Sequence, residues 1–473
     1  MARYFHFKHL DELCAQAVAF GDTLVPAHDL SPLFQALTVQ GRTLGNRLCI
    51  QPMEGCDGTL AGAPDELTLR RYRRFGAGGA KLIWGEATAV CEEGRMNPRQ
   101  LFLCDETASA LETMLADCRR AHRDQCGRDD DLLIGLQLTH SGRYSFRKPL
   151  VAVHCPLLDP RTIDKSSGRA LDESYPLLTD DDLRRIENQF LNAARLAQKI
   201  GCDFIDLKQC HRYLLSELLG AKTRTGPYGG SLENRTRLAR NIVTAIRQEC
   251  PQLIIASRIN VFDGVPFQKR PPDNLGVPAP FSTPVDTAFG VNPYQPLDVD
   301  FAEPLAVTKL LADAGVRLLN ITLGNPYANP HYVRPAEFAP IDGYQAPEHP
   351  LIGVLRHFRS TEAVQRSLPD VPVVGSGYSW LQEFFPAIAA GNIAAGRCAL
   401  VGVGRGSLSQ PDFARQIQDQ GRLDRKRICR TFSYCTNLMR SKNHPLGQFP
   451  TGCPPFDKEA YDAVWKEIQQ QQS

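Results

Sequence analysis

The chain has 473 residues, 42% hydrophobic and 22% charged, the composition of a soluble protein with a sizeable core. Its formal net charge of +2 gives no electrostatic case for nucleic acid or for an acidic membrane surface. No stretch approaches the roughly 18 consecutive apolar residues of a membrane span, and the start of the chain carries charges where a signal peptide would be apolar.

Residues 1–40 read as an irregular lead-in with a short helix near 11–19. From 41 to 422, short apolar runs alternate with long amphipathic segments. The runs are 47–53, 81–90, 132–139, 204–210, 253–260, 318–324, 371–377 and 399–404. Near-continuous apolar content is what a strand buried on both faces requires. Segments 106–123, 182–200 and 235–250 carry apolar residues at helical spacing. In the second of these the apolar residues are Leu183, Ile186, Phe190, Ala194 and Ala197, and Thr179 with Asp182 forms a capping box. Strict alternation calls for a parallel sheet, and eight repeats call for an α/β fold of the (β/α)8 TIM barrel type. A proline-rich insertion at 264–300 is too long for an ordinary loop and reads as a lid or specificity loop. Residues 423–473 form a C-terminal extension with Cys429, Cys435 and Cys453, ending in a polar helix at 458–471. The 15 cysteines are scattered, which fits a reducing cytoplasmic setting better than a disulfide framework.

In such a barrel the chemistry stands at the C-terminal ends of the strands. The fourth run delivers Lys208, His211 and Tyr213 within six residues. The seventh and eighth runs end in glycine-rich GSG (375–377) and GVGRG (402–406), where backbone N–H groups can approach a phosphate and Arg405 can add a bidentate cation. There is no HExxH, no GxSxG and no dinucleotide GxGxxG in the required context. His140 and His211 lack carboxylates at ligand spacing, so no metal is expected. The residues alone leave two catalytic readings. Lys208 could form a Schiff base with a carbonyl, or Lys208 and His211 could bind an anionic oxygen while Tyr213 donates a proton. A structural alternative pairs a buried Lys208 with Asp206 or Glu86.

Seven blocks, in order, carry a family resemblance: NRLCIQPMEGCDGT (46–59), LIWGEATAV (82–90), LQLTHSGR (136–143), GCDFIDLKQCHRYLLSELL (201–219), YGGSLENRTR (228–237), SRINVFDG (257–264) and VGVGRGSL (401–408). Together they resemble the Old Yellow Enzyme family of FMN-dependent oxidoreductases, in particular the branch of NADH:flavin oxidoreductases and 2,4-dienoyl-CoA reductases. The resemblance implies FMN across the barrel mouth and NAD(P)H as reductant. Hydride would pass through flavin N5 to an activated alkene such as an enone or enoyl compound. It implies flavin contacts from Pro52, Met53, Glu54, Ala87, Gln137 and Arg258, and phosphate contacts from Gly377, Tyr378, Gly404 and Arg405. Tyr213 matches the family's proton donor and His211 the second carbonyl-polarising position. Lys208 stands where the family usually has histidine. An amine or N-methyl dehydrogenase is the alternative within the fold, with Cys56 near the position of a flavin-linking cysteine. A flavin-free lyase using Lys208 is the alternative outside it. The tail cysteines, spaced C-x5-C-x17-C, lack the tight four-cysteine pattern of the iron–sulfur relatives, so no cluster is expected. The partner implied is a small-molecule substrate, with no nucleic acid and no membrane, and self-association into a homo-oligomer is left open.

Overall fold

The computed structural model describes residues 4–472. All eight apolar runs contain strands: β1 (Leu48–Ile50), β2 (Leu82–Ala89), β3 (Leu133–Thr139), β4 (Phe204–Leu207), β5 (Ile254–Asn260), β6 (Leu318–Thr322), β7 (Val373–Gly375) and β8 (Leu400–Val403). They pair in sequence order and in parallel, and β8 pairs with β1 to close the barrel. Strand alternation sorts the side chains. Cys49, Leu82, Trp84, Leu133, Phe204, Ile254, Leu318, Val374 and Leu400 pack inside the barrel. Val39 and Leu44, from an antiparallel hairpin of Leu37–Val39 with Arg42–Leu44, join that cluster and plug the end where the strands begin. Leu48, Ile50, Ile83, Ile134 and Ile205 face outward into the larger core beneath the helices.

The helices between strands are α1 (Glu66–Ala77), α2 (Asp105–Cys126), α3 (Asp180–Lys199), α4 (Leu232–Glu249), α5 (Ala302–Ala314), α6 (Pro350–Ser367) and α7 (Phe385–Ala394), with α8 (Phe413–Gln420) after β8. Helix α3 starts where the capping box places it. The Thr179 hydroxyl accepts from the Asp182 N–H at 3.1 Å, and the Asp182 carboxylate accepts from the Thr179 N–H at 2.9 Å. Its buried stripe is Leu183, Ile186, Phe190, Ala193, Ala194 and Ala197. Burying each of the three large side chains contributes roughly 1.5–3 kcal/mol. No helix among the described residues is long and apolar enough to cross a membrane.

Strands β1, β4, β6 and β7 stop two or more residues before their apolar runs do. The trailing residues lie past the regular strands and lead into the mouth of the barrel, some still bonded to a neighbour, as Gln209 is to Arg258 and Asn260. After β4, His211 and Arg212 take left-handed φ values of 64° and 60°. Backbone of this kind costs about 1–3 kcal/mol per residue and persists only where the surroundings hold it. Here the buried Arg212 guanidinium donates to Asp263 and to the Thr287 carbonyl, both at 2.7 Å.

Two segments sit where the sequence did not place them. The 264–300 insertion forms an antiparallel hairpin, Phe267–Arg270 with Leu275–Pro278, and lines a side cavity with residues 153–157 and 177–180. It contributes no residue to the barrel mouth, so it is not a lid over the site. The tail instead returns across that mouth. Thr451 N–H donates to the Gly55 carbonyl at 2.7 Å, and Arg70 clasps Asp457 at 2.7 and 2.9 Å. Helices α9 (Tyr434–Arg440) and α10 (Lys458–Gln472) belong to this return.

The short helix Leu214–Leu219 directly follows Tyr213 and is anchored through Glu217. Its carboxylate accepts from Arg143 at 3.1 and 3.2 Å and from the N–H groups of Ala152 and Val153 at 3.2 Å. Both charged side chains are fully buried. Glu217→Ala leaves the buried Arg143 with Asp159 alone and strips the acceptor from the Ala152 and Val153 N–H groups, and is expected to cost about 3 kcal/mol, read as a lower urea midpoint with unchanged m value.

Candidate active site

The ends of β1–β5, β7 and β8 converge on one cleft. Twelve of the thirteen residues named from the sequence line it: Pro52, Met53 and Glu54 after β1, Ala87 on β2, Gln137 on β3, Lys208, His211 and Tyr213 after β4, Arg258 on β5, Gly377 after β7, and Gly404 and Arg405 after β8. Tyr378 does not. Its phenol is turned into the wall, where it takes a hydrogen bond from Asn392 Nδ2 at 3.0 Å and contacts Cys398 Sγ at 3.6 Å. Gly377, at φ 96°, makes the turn that sends the ring inward and leaves only the Tyr378 backbone near the cleft.

The floor is a hydrogen-bonded net. Gln51 Oε1 accepts from Asn320 Nδ2 at 2.7 Å, and its Nε2 donates to Ser376 Oγ at 3.1 Å. Gly402 is required by this approach, since a β-carbon there would lie 2.0 Å from Gln51 Nε2. Gln137 Nε2 donates to Asp206 at 2.6 Å, which leaves its Oε1 as an acceptor.

Neither carboxylate proposed for Lys208 is free to pair with it. Asp206 accepts from Trp84 Nε1 at 2.7 Å, from Gln137, and from the Arg258 N–H at 2.6 Å. Glu86 accepts from Arg71 at 2.6 Å and from the Gly55 N–H at 2.8 Å. Lys208 Nζ instead lies over the Tyr213 ring, 3.9 Å from its centroid. Burial lowers the Lys208 pKa, partly offset by Cys210 and Glu54. His211 is held well below the ordinary histidine value by burial and then by Lys208, Arg258 and Arg334, so its ring is neutral. The Tyr213 phenol shares a hydrogen bond with the Tyr327 hydroxyl at 3.0 Å, and burial pushes its pKa well above the usual value. Cys210 is buried, with its thiol pushed up to about 11, and makes no nucleophile.

Among the cleft atoms buried without a protein partner are His211 Nε2, Arg258 Nε and Arg405 Nη1. Arg405 Nη2 is held by the Pro335 carbonyl at 2.6 Å. The sequence reading missed one whole wall. Pro326, Tyr327, Val333, Arg334 and Pro335 come from the loop after β6, and Cys435, Thr436, Met439, Arg440 and Thr451 come from the tail. The signal available was the arginine in each segment, beside small polar and aromatic residues, in stretches with no other structural demand.

Elsewhere, Cys91, Glu93 and His140 bring three ligand atoms within 4.8 Å of one another. The Gly142 N–H donates to His140 Nδ1 at 3.1 Å, which puts the ring proton on the nitrogen that would face an ion, and Glu93 is paired with Arg185. Cys429, Cys435 and Cys453 share one cavity with Arg405 and Phe456. Among its described lining there is no fourth cysteine, so a four-thiolate cluster set is one ligand short.

A closed parallel barrel with a glycine-lined, cation-rich cleft at its C-terminal end defines a cofactor-using barrel enzyme. Residues 32–273 match the NADH:flavin oxidoreductase / NADH oxidase family, and the chain belongs to it. It is an FMN-dependent NAD(P)H oxidoreductase. An NADPH dehydrogenase of Geobacillus sp. (strain WCH70) is 28% identical over 320 residues, 67% of this chain and 77% of that one. In fold, the chain is similar to 2-naphthoyl-CoA reductase solved with 2-naphthoyl-CoA, with a TM-score of 0.62 and 16% identity over 86% of this chain and 54% of that longer one. It is also similar to morphinone reductase in complex with tetrahydroNAD, with a TM-score of 0.58 and 18% identity over 83% and 92%.

Glu54 carries a pH prediction. Burial raises its pKa from 4.5 to about 7, opposed by Lys208. The folded protein therefore binds this proton more tightly than the unfolded chain, and stability falls as pH rises from 4.5 to about 7. In flavin-free protein the loss is about 2 kcal/mol, discounted for the part of the carboxyl open to the cleft. Glu54→Gln is expected to flatten that slope in urea titrations on either side of the window.

Proposed function

We propose that this enzyme reduces the activated C=C bond of an electron-poor alkene, an enone or enoyl compound, at the expense of NAD(P)H. The observation that carries the reading is the convergence of Lys208, His211 and a protonated Tyr213 on one cleft that also holds the orphaned nitrogens of Arg258 and Arg405. The residues present fit FMN. Pro52, Met53, Glu54 and Ala87 would line its ring, Gln137 and Arg258 would bond the ring's polar edge, and Gly377, Gly404, Arg405 and the Tyr378 N–H would hold its phosphate. When bound, FMN supplies a two-electron carrier between NAD(P)H and the alkene.

The chain's own residues do the rest. Neutral His211 and the Lys208 ammonium donate to the substrate's carbonyl oxygen, where negative charge develops. Tyr213 holds the proton that the α-carbon receives, so one hydride and one proton together saturate the double bond. Its raised pKa keeps the phenol protonated through neutral and mildly alkaline pH. The reverse-direction reading, an amine dehydrogenase, is weaker. A protonated amine would meet a cation-rich wall, and Cys56 does not line the cleft.

Purified protein should be yellow, and Tyr213→Phe should slow alkene-dependent flavin reoxidation by about 10²–10⁴-fold. Flavin reduction by NAD(P)H should change little in that variant. Stopped-flow traces of the two half-reactions separate these effects. An unchanged reoxidation rate in Tyr213→Phe would remove Tyr213 from the role. Across pH, reoxidation should show no alkaline decline at the ordinary tyrosine pKa of about 10.

A further inference from the structure

The wall that the β6 loop and the tail build is cationic beyond what a flavin needs. Lys208, Arg258, Arg334, Arg405 and Arg440 line the cleft, against the single carboxylate of Glu54. Counting Glu54 as ionised and Arg440 as paired with Asp342 leaves three positive charges uncompensated, and a phosphate monoester such as that of FMN supplies about −2 at neutral pH. About one positive charge then remains for the ligand that shares the cleft.

Those charges are arranged in space. Arg405 stands on the β8 side, beside Gly404 and the Gly406 N–H held by Ser379. Arg440 stands against the loop after β6. Its guanidinium lies over the Tyr327 ring, 5.0 Å from the centroid, and Tyr327 holds the Tyr213 hydroxyl. Arg334 lies between them. Its Nη1 donates to Thr436 Oγ1 at 3.3 Å, while its Nε and Nη2 are buried with no partner. Arg440 Nε is likewise unpartnered, its other nitrogens donating to Asp342 at 2.9 Å and the Pro326 carbonyl at 2.8 Å. Among the described residues no carboxylate pairs with Arg334. Burial, then Arg440 and Arg405, push its pKa down to about 10. Buried guanidinium N–H groups left without acceptors are costly, and an anionic ligand group is what satisfies them bidentately.

We propose that Arg334 and Arg440 form an anion seat on the substrate side of the cleft, so that the alkene this enzyme reduces carries a carboxylate or phosphoryl group. This rests on the alkene-reductase reading above. The reacting end of the substrate lies at Lys208, His211 and Tyr213, and its anionic end lies on the wall made by the tail.

The test uses the full-length holoenzyme and three enones alike except for a terminal methyl ester, carboxylate or phosphate monoester. Wild type should favour one charged compound over the ester by about tenfold or more in kcat/KM, mostly through KM. The charged member that wins tells carboxylate from phosphoryl. Arg440→Gln and Arg334→Gln should collapse that ratio toward unity, and Arg440→Lys should retain part of it. Bound flavin is read from the visible spectrum of each variant. Yellow wild-type protein that turns over ester and charged compounds with equal KM overturns the proposal. So do glutamine variants that lose flavin while the ratio persists, because the arginines then serve the flavin phosphate. Colourless protein inert on all three compounds would instead overturn the alkene-reductase reading beneath it.

Discussion

The carboxylate of Asp206 sits inside the barrel with no cation bonded to it. It is neutralised in hydrogen-bonding terms by three uncharged donors, the Trp84 indole, the Gln137 amide and the Arg258 backbone N–H. Those donors belong to β2, β3 and β5, and Asp206 belongs to β4, so one side chain ties half of the barrel's mouth together. Burial raises its pKa, and the three donors oppose that rise because they favour the ionised form. A buried polar net of this kind is stabilising only when every member is satisfied. It also fixes the orientation of Gln137, whose acceptor is thereby aimed at the cleft.

Because Asp206 and Glu86 are both occupied, Lys208 has no carboxylate partner and its ammonium rests on the face of Tyr213. The same cation lowers the proton affinity of His211. Burial first, and then this lysine, keeps the neighbouring imidazole neutral, and the lysine covers the phenol that carries a proton. A histidine at position 208 would have shorter reach and would not hold a charge at neutral pH in such a buried setting. The left-handed turn at His211 and Arg212 is what allows all three groups to face one space. The Arg212–Asp263 pair, buried on both sides, is what holds that turn.

The strands were legible because a parallel barrel strand is buried on both faces, and eight apolar runs in one chain leave little else to build. Helix α3 was legible at its first turn because Thr179 and Asp182 satisfy its end locally. The β4 cluster was legible because reactive types crowd the end of an apolar run. The failures share a cause. Spacing placed Tyr378 after a glycine-rich strand end, as a phosphate contact is, but did not report that its ring turns onto Asn392 and leaves only its N–H for that role. Proline content and length marked 264–300 as an insertion but carried no direction, and its hairpin packs on the flank. Arg334 and Arg440 lie 106 positions apart. Only the return of the tail brings them together, a tertiary fact with no local period to announce it.

That return has an energetic consequence. Arg334 and Arg440 repel, and with Arg405 they form a cluster that loses water and gains one carboxylate, that of Asp342 on Arg440. The tail is nevertheless held down, by Asp457 on Arg70 and Arg74, by Thr451 on Gly55, and by the Thr436 hydroxyl on Arg334 itself. The clamp at Asp457 therefore works against the repulsion at the cleft. Any anion that settles among the arginines removes the opposing term and tightens the same wall that encloses it. By linkage, the contacts that hold the tail in this position would favour an anion among the arginines.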